Sequence, residues 1–340
     1  MPNPLRKPAV ERSSGSENLT VRPRRLRRTD ALRSLVRETH LSPDDFIYPL
    51  FIAEGSEARE PVKSMPGIFR ETEKTFPTAL KKAEDAGVKA VMLFGIPKHK
   101  DAIGSDSLKS NGLLARMVRR AKDTCPDLIV MADLCFCEYT EHGHCGVLDD
   151  RGDVDNDMTL ENLAAQALVA ANAGADLLAP SGMMDGTIST LRSALDGEGY
   201  THIPLMAYST KFASAFYGPF RDAAACSLGK GNRRTYQMDP ANGREAVRES
   251  LLDEAQGADI LMVKPGMPYL DVLANIRKET RLPLAVYQVS GEYAMIKYAA
   301  AAGALDAEAV MLESLIAFKR AGADLILSYF APEVVPLLGK

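Results

Sequence analysis

One short junction recurs three times in the chain and constrains its fold more than any other feature. It reads Ala-Gly-Ala-Asp-Leu-Leu from Ala173, Gln-Gly-Ala-Asp-Ile-Leu from Gln256 and Ala-Gly-Ala-Asp-Leu-Ile from Ala321. Each copy closes an amphipathic stretch with helical spacing: Thr159–Ala173, Asn242–Ala255 and Ala307–Ala321. A glycine just past a helix supplies the left-handed residue that ends it, and an apolar run starts at once. Helix, glycine, strand, repeated, is the pattern of βαβ units. The apolar runs are Ile47–Ile52, Ala90–Phe94, Leu128–Ala132, Asp176–Ala179, Pro204–Tyr208, Asp259–Val263, Pro283–Tyr287 and Asp324–Tyr329. They are nearly continuous in apolar character rather than alternating, as parallel strands buried on both faces are. Eight such runs predict a closed (β/α)8 TIM barrel in the α/β class. The alternative, a doubly wound open sheet, lacks a Gly-rich phosphate loop after its first strand.

The 340 residues suit one large barrel domain, expected over 31–340, preceded by an extended N-terminal arm over 1–30. The arm carries Arg6, Lys7, Arg12, Arg22, Arg24, Arg25, Arg27 and Arg28, and Pro, Ser and Asn break its periodicity. Its first 20 residues read as a disordered tail and its Arg-rich part as an inter-subunit contact. A formal net charge of −4 argues against nucleic-acid or anionic-membrane binding by the whole chain. No apolar run approaches the roughly 18 residues of a membrane span. The N-terminus has no apolar secretory core. It is basic and contains Ser, as organellar transit peptides do, but Glu11 and Glu17 weigh against one. A cytoplasmic location is expected, with the plastid as the alternative. Five cysteines in such a chain read as reduced thiols.

A barrel places its chemistry at the C-terminal ends of its strands. The third run leads through Asp133 into Cys135, Cys137 and Cys145, spaced C-x-C-x7-C, with His142 and His144 between them. Thiolates suit Zn²⁺. Three ligands leave the fourth position open, as in catalytic zinc sites, whereas either histidine would complete a closed one. The bland reading is three buried free thiols; Cys125 and Cys226, outside the cluster, are read that way. The fifth and sixth runs lead to Lys211 and Lys264. Most lysines are merely solvated or ion-paired, but two at adjacent strand ends would face one cavity. Burial and a second cation lower a lysine's pKa, and a neutral amine adds to a ketone. Arg221 and Arg233 offer bidentate contacts to carboxylates. They lie in the Gly-containing stretch Phe212–Gln237, which also carries Lys230 and Arg234 and reads as a lid over an acidic substrate or as a solvated loop. Ser290 and Tyr329 follow the seventh and eighth runs; their hydroxyls could hold a carboxylate or satisfy the backbone.

The strings DLCFCEYTEHGHCG, AYSTKFASAFYGPFRD, MVKPGMPYLD and YQVSGEYAM resemble the porphobilinogen synthase (5-aminolaevulinate dehydratase) family in its zinc-cysteine form, from about Arg24 to the C-terminus. The resemblance implies condensation of two 5-aminolaevulinates, with loss of two waters, in tetrapyrrole (haem) biosynthesis. It implies Schiff bases on Lys264 for the first substrate (P side) and on Lys211 for the second (A side). Ser290 and Tyr329 would hold the P-side carboxylate; Arg221 and Arg233, with Gln237 beside them, the A-side carboxylate. Cys135, Cys137 and Cys145 would carry catalytic Zn²⁺, and Asp133 would line the same pocket. An allosteric Mg²⁺ is implied at Glu249, and a homo-oligomer, an octamer or in some members a hexamer, with arms wrapping neighbours. The chain departs from the family where it has Gly182 in APSGMMDG; the carboxylate expected there would support the Mg²⁺ water shell. Two rival readings are a class I aldolase-type barrel with one Schiff-base lysine and a non-catalytic zinc-binding protein.

Overall fold

The computed structural model describes residues 21–338 except Ser56, Ser227, Gly229 and Lys230. The first 20 residues of the expected arm, and Lys230 of the expected lid, lie outside the described residues. The chain divides into two compact units at His40/Leu41. In the first, a 3-10 turn over Pro23–Arg27 precedes a helix over Asp30–Leu35, and neither buries a residue. Thr29 caps that helix, its hydroxyl oxygen accepting from the Leu32 N–H at 3.2 Å.

The second unit is built on ten strands: β1 (Phe46–Ala53), β2 (Glu60–Pro61), β3 (Phe69–Thr72), β4 (Ala90–Ile96), β5 (Ile129–Leu134), β6 (Leu177–Pro180), β7 (Met206–Lys211), β8 (Ile260–Lys264), β9 (Leu284–Gln288) and β10 (Leu325–Ser328). Eight of them run side by side in the order β6-β5-β4-β1-β10-β9-β8-β7, each pair parallel. A parallel bridge between Leu178 and Leu205 joins the two ends, with the Leu178 N–H donating to Pro204 O at 3.1 Å. The eight apolar runs are these eight strands, and the barrel expected from them forms. The sequence reading missed β2 and β3. They are two and four residues long, too short for a periodicity signal; β3 extends β1 in parallel and β2 pairs with β3.

The recurring junction has a structural reason for every residue. Its glycines, Gly174, Gly257 and Gly322, have φ of +96°, +101° and +116°. Its aspartates tie each new strand to its neighbour twice. The Asp176, Asp259 and Asp324 N–H groups donate to Val130, Leu205 and Leu284 O at 2.9, 3.0 and 2.7 Å. In return each carboxylate accepts from the N–H of the same partner at 2.8 Å. The junction thus stops a helix and sets a strand's register in four residues. At Gly257 an added Cβ would meet only Arg192 Cγ, at 3.6 Å, so the space is open and the backbone alone forbids a side chain. Gly257→Ala is therefore expected to cost about 1–2 kcal/mol, the left-handed penalty of an L-residue. The measurement is a lower urea midpoint at unchanged m-value.

Candidate active site at the mouth of the barrel

Lys211 and Lys264 end β7 and β8 and are register partners, so their side chains leave neighbouring strands side by side. Both are only 4% exposed. A β-bulge makes this pairing. Ala207 pairs with Leu261, but Thr210 pairs with Val263, so two residues of β7 oppose one of β8. The side chains follow the bulge. Tyr208 lies inside the barrel, its ring centroid 5.1 Å from Lys264 Nζ and 5.7 Å from Lys211 Nζ. Ser209 and Thr210 both face the helix over Gly243–Ala255, where Ser250 Oγ lies 3.5 and 3.0 Å from their hydroxyls. Strict alternation from Tyr208 would send Thr210 inward and Lys211 outward. The extra residue turns Lys211 back into the barrel.

The two amines sit in different fields. Lys264 Nζ is ringed by Tyr287, Tyr208, Phe220 and Tyr217, at 4.3, 5.1, 5.1 and 5.5 Å from their centroids. Burial, and then the Lys211 charge, bring its pKa down to about 7. For Lys211, burial also acts downward, but the charge of Cys145, Cys135 and Cys137 outweighs it and the pKa is raised. Its ammonium donates to Ser181 O. Asp133, on β5, is near enough to both amines to feel their charge. Its Oδ2 accepts from Ser181 Oγ at 3.1 Å, and its Oδ1 has no partner. Burial and the Glu138 charge push its pKa up to about 8.

Cys135, Cys137 and Cys145 are 1%, 2% and 0% exposed, and their sulfurs lie within 4.8 Å of one another, close enough to hold one metal ion. The loop carrying them is fixed by Gln166, a buried residue of the helix over Asn156–Asn172, whose Nε2 donates to Cys135 O at 3.0 Å. Cys135 Sγ donates to Cys137 Sγ at 3.3 Å, and Cys137 Sγ to Glu138 Oε2 at 3.2 Å. Hydrogen bonds from Cys135 and Cys137 hold Cys145 well below the ordinary thiol value, while Cys137 is held well above it. A soft cation would displace the remaining protons and relieve this crowding, so the donor set fits a thiophilic metal. Neither histidine belongs to the group. The Nε2 of His142 faces Ala102 O at 3.0 Å and its Nδ1 accepts from the His144 N–H; the Nδ1 of His144 faces the Tyr236 hydroxyl at 3.1 Å.

The stretch Phe212–Gln237 is anchored at both ends to the lysine strand. The Met238 N–H donates to Lys211 O at 3.0 Å, and the Ala213 N–H to Met238 O at 2.8 Å. Between lie a 3-10 turn (Ala215–Tyr217) and a short helix (Gly218–Ala223). Arg233 and Gln237 are buried, and Arg233 donates to Gly143 O at 2.7 Å. Among the described residues, Arg221 Nε, Arg233 Nε and Gln237 Nε2 are buried donors with no partner. Leaving such a group unpaired costs about 1–3 kcal/mol, so three on one segment point to an acceptor that arrives from outside. Tyr329 joins the lysine site through Tyr287, their hydroxyls 3.0 Å apart. Ser290, fully buried at the start of the helix over Ser290–Ala301, donates to Phe216 O at 3.4 Å.

Glu249 is not brought to the lysines. It lies on the outer helix with Asp185, Arg248 and Asp253 along a cavity of about 310 Å³, which Ser209 lines from the β7 side. Burial, then Asp185, raises the pKa of Glu249; burial, then Glu249, brings Asp253 up to about 7. A Cβ on Gly182 would meet Cys145 O at 3.6 Å, so this position abuts the thiol loop, and it does not line the Glu249 cavity. Two further groups were not legible as site residues. Glu138 is signalled only by its place in Cys-Phe-Cys-Glu. Cys226, read as an ordinary thiol, is buried near this group: Cys137 lowers its pKa, and Arg233 donates to its carbonyl at 3.4 Å. Cys125 stays apart, pushed up to about 11 by burial.

Fold and site define a (β/α)8-barrel enzyme equipped for carbonyl chemistry, with two buried amines beside a metal-competent thiol group. The model of the family described as delta-aminolevulinic acid dehydratase matches residues 20–337. The delta-aminolevulinic acid dehydratase of Escherichia coli K12 is 57% identical over 314 residues, spanning 92% of this chain and 96% of that protein. The Helicobacter pylori J99 enzyme of the same name is 54% identical over 321 residues, spanning 93% and 98%. The crystal structure of delta-aminolevulinic acid dehydratase (porphobilinogen synthase) from Toxoplasma gondii ME49, in complex with the reaction product porphobilinogen, superposes with a TM-score of 0.92 at 44% identity. It covers 94% of this chain and 92% of that one. The chain belongs to the delta-aminolevulinic acid dehydratase family.

The field on Lys264 makes a pH prediction. Only the neutral amine adds to a ketone, so borohydride trapping of a ketone at Lys264 should rise as pH rises through about 7. Lys211→Met removes a neighbouring cation and should move that midpoint upward. Peptide-level mass measurement across the pH range checks both; a midpoint in native protein near the ordinary lysine value of 10.5 would contradict the account.

Proposed function

We propose that the chain is a porphobilinogen synthase that joins two 5-aminolaevulinate molecules, with loss of two waters, to form the pyrrole porphobilinogen. The observation that carries the reading is the register pairing of Lys211 with Lys264 in a buried barrel mouth. Each substrate is a ketone and an acid; the site offers two amines and two sets of anion-binding groups. Lys264, the less basic amine, adds first to a substrate carbonyl and expels water as its Schiff base forms. Tyr329 and Ser290 hold that substrate's carboxylate (the P side). Lys211 takes the second substrate (the A side), whose carboxylate fills the open donors of Arg221, Arg233 and Gln237. Asp133, with a pKa near 8 and a bare Oδ1, holds and returns the protons exchanged between them. Cys135, Cys137 and Cys145 hold zinc as the catalytic metal. When bound there, zinc would supply Lewis-acid chemistry beside the second substrate.

The further roles follow the same reading. Glu249, with Asp185 and Asp253 beside it, would hold magnesium outside the barrel, where a divalent cation would relieve three crowded carboxylates. The protein is a homo-oligomer, an octamer, with the Arg-rich segment of residues 22–28 at subunit contacts. Among the described residues no helix is long and apolar enough to cross a membrane, and a cytoplasmic location is proposed.

The test is pyrrole formation from 5-aminolaevulinate before and after zinc chelation, then with zinc restored. Loss and recovery of activity are expected, and so is inactivity of folded Lys264→Ala. Activity indifferent to chelation would remove zinc from the reading; full activity in Lys264→Ala would remove the Schiff base.

A further inference from the structure

We propose that Thr210 and Ser250 are positioning residues: their buried hydroxyl pair fixes the β7 bulge and thereby aims Lys211 into the barrel. The inference rests on the Schiff-base reading of Lys211 and goes beyond it by naming what sets that lysine's direction. Three hydroxyls meet at the strand–helix seam. Thr210 Oγ1 donates to Ala246 O at 3.2 Å and accepts from the Ser250 hydroxyl at 3.0 Å; Ser209 Oγ lies 3.5 Å from Ser250 Oγ on the other side. Ser209, Thr210, Ala246 and Ser250 are 2%, 0%, 0% and 1% exposed, so water cannot replace these bonds.

Two registers compete at this strand end. In the bulged one, Ser209 and Thr210 both face the helix and Lys211 pairs with Lys264. In a regular one, continued from Ala207–Leu261, Thr210 would pair with Lys264 and Lys211 would point at the helix layer. The Thr210 hydroxyl has an acceptor, Ala246 O, only in the bulged register. Lys264, on the unbulged strand, keeps its direction in either register, although its proton affinity follows the Lys211 charge. The pair therefore sets the direction of one lysine and not of the other, and a general packing role would not make that distinction.

The experiment compares the high-pH plateau of borohydride trapping of 5-aminolaevulinate at the two lysines, peptide by peptide, in the zinc-loaded full-length protein, so that a shifted Lys264 midpoint does not enter the ratio. Thr210→Val keeps the branched shape and removes the hydroxyl. It should lower labelling at Lys211 relative to Lys264 roughly tenfold, the order a lost buried hydrogen bond commonly costs. Turnover should fall with it, while labelling at Lys264 persists, and Thr210→Ser should restore both. An unchanged labelling ratio in Thr210→Val, or equal loss at both lysines, would overturn the proposal. If Thr210→Val does not fold, Ser250→Ala, which leaves the bond to Ala246 O, should lower the same ratio by a smaller factor; an unchanged ratio there would overturn it too. Labelling of neither lysine in the native protein would overturn the Schiff-base reading itself, and the inference with it.

Discussion

Two amines that share a dry barrel mouth cannot both be comfortably charged, and the rest of the site is arranged around that repulsion. Water would screen two neighbouring ammonium ions; the aromatic ring of Tyr287, Tyr208, Phe220 and Tyr217 excludes it. The conflict is settled by asymmetry. Lys211 faces the thiol group, whose negative charge keeps it protonated, and Lys264 gives up its proton near neutral pH. One amine is thus ready to add to a carbonyl while its neighbour still carries a proton. Asp133 completes the balance from β5, held near neutral pH by the same burial.

The barrel supports this arrangement through elements that were plain in the sequence. Strands buried on both faces are nearly continuous apolar runs, so all eight could be read directly. The junctions could be read because a helix stop, a left-handed glycine and a strand start fall within four residues. The lysines and the three clustered cysteines were legible because they sit just past strand ends, where a barrel keeps its chemistry. The departure at Gly182 was also visible, but its neighbour was not: the position abuts Cys145, which only the fold brings there.

What the sequence could not convey is long-range. The bulge that turns Lys211 inward depends on Ser250, 40 residues away, and simple alternation through Tyr-Ser-Thr-Lys gives the opposite direction. The ring around Lys264 draws its members from three separate stretches of chain. Cys226 is brought near the thiol loop by Arg233, which donates both to Gly143 O and, at 3.4 Å, to Cys226 O. The unpaired donors of Arg221, Arg233 and Gln237 are a property of burial, which no residue pattern states.

On the proposed mechanism, the field in the barrel mouth orders the two amines, with Lys264 reacting before Lys211. The most direct measurement supplies one equivalent of 5-aminolaevulinate to the zinc-loaded protein at neutral pH, quenches with borohydride at early times and locates the adduct by mass. The first equivalent is expected on Lys264, with Lys211 labelled only when a second equivalent is added. A first equivalent found on Lys211, or divided evenly between the two from the earliest time, would contradict it.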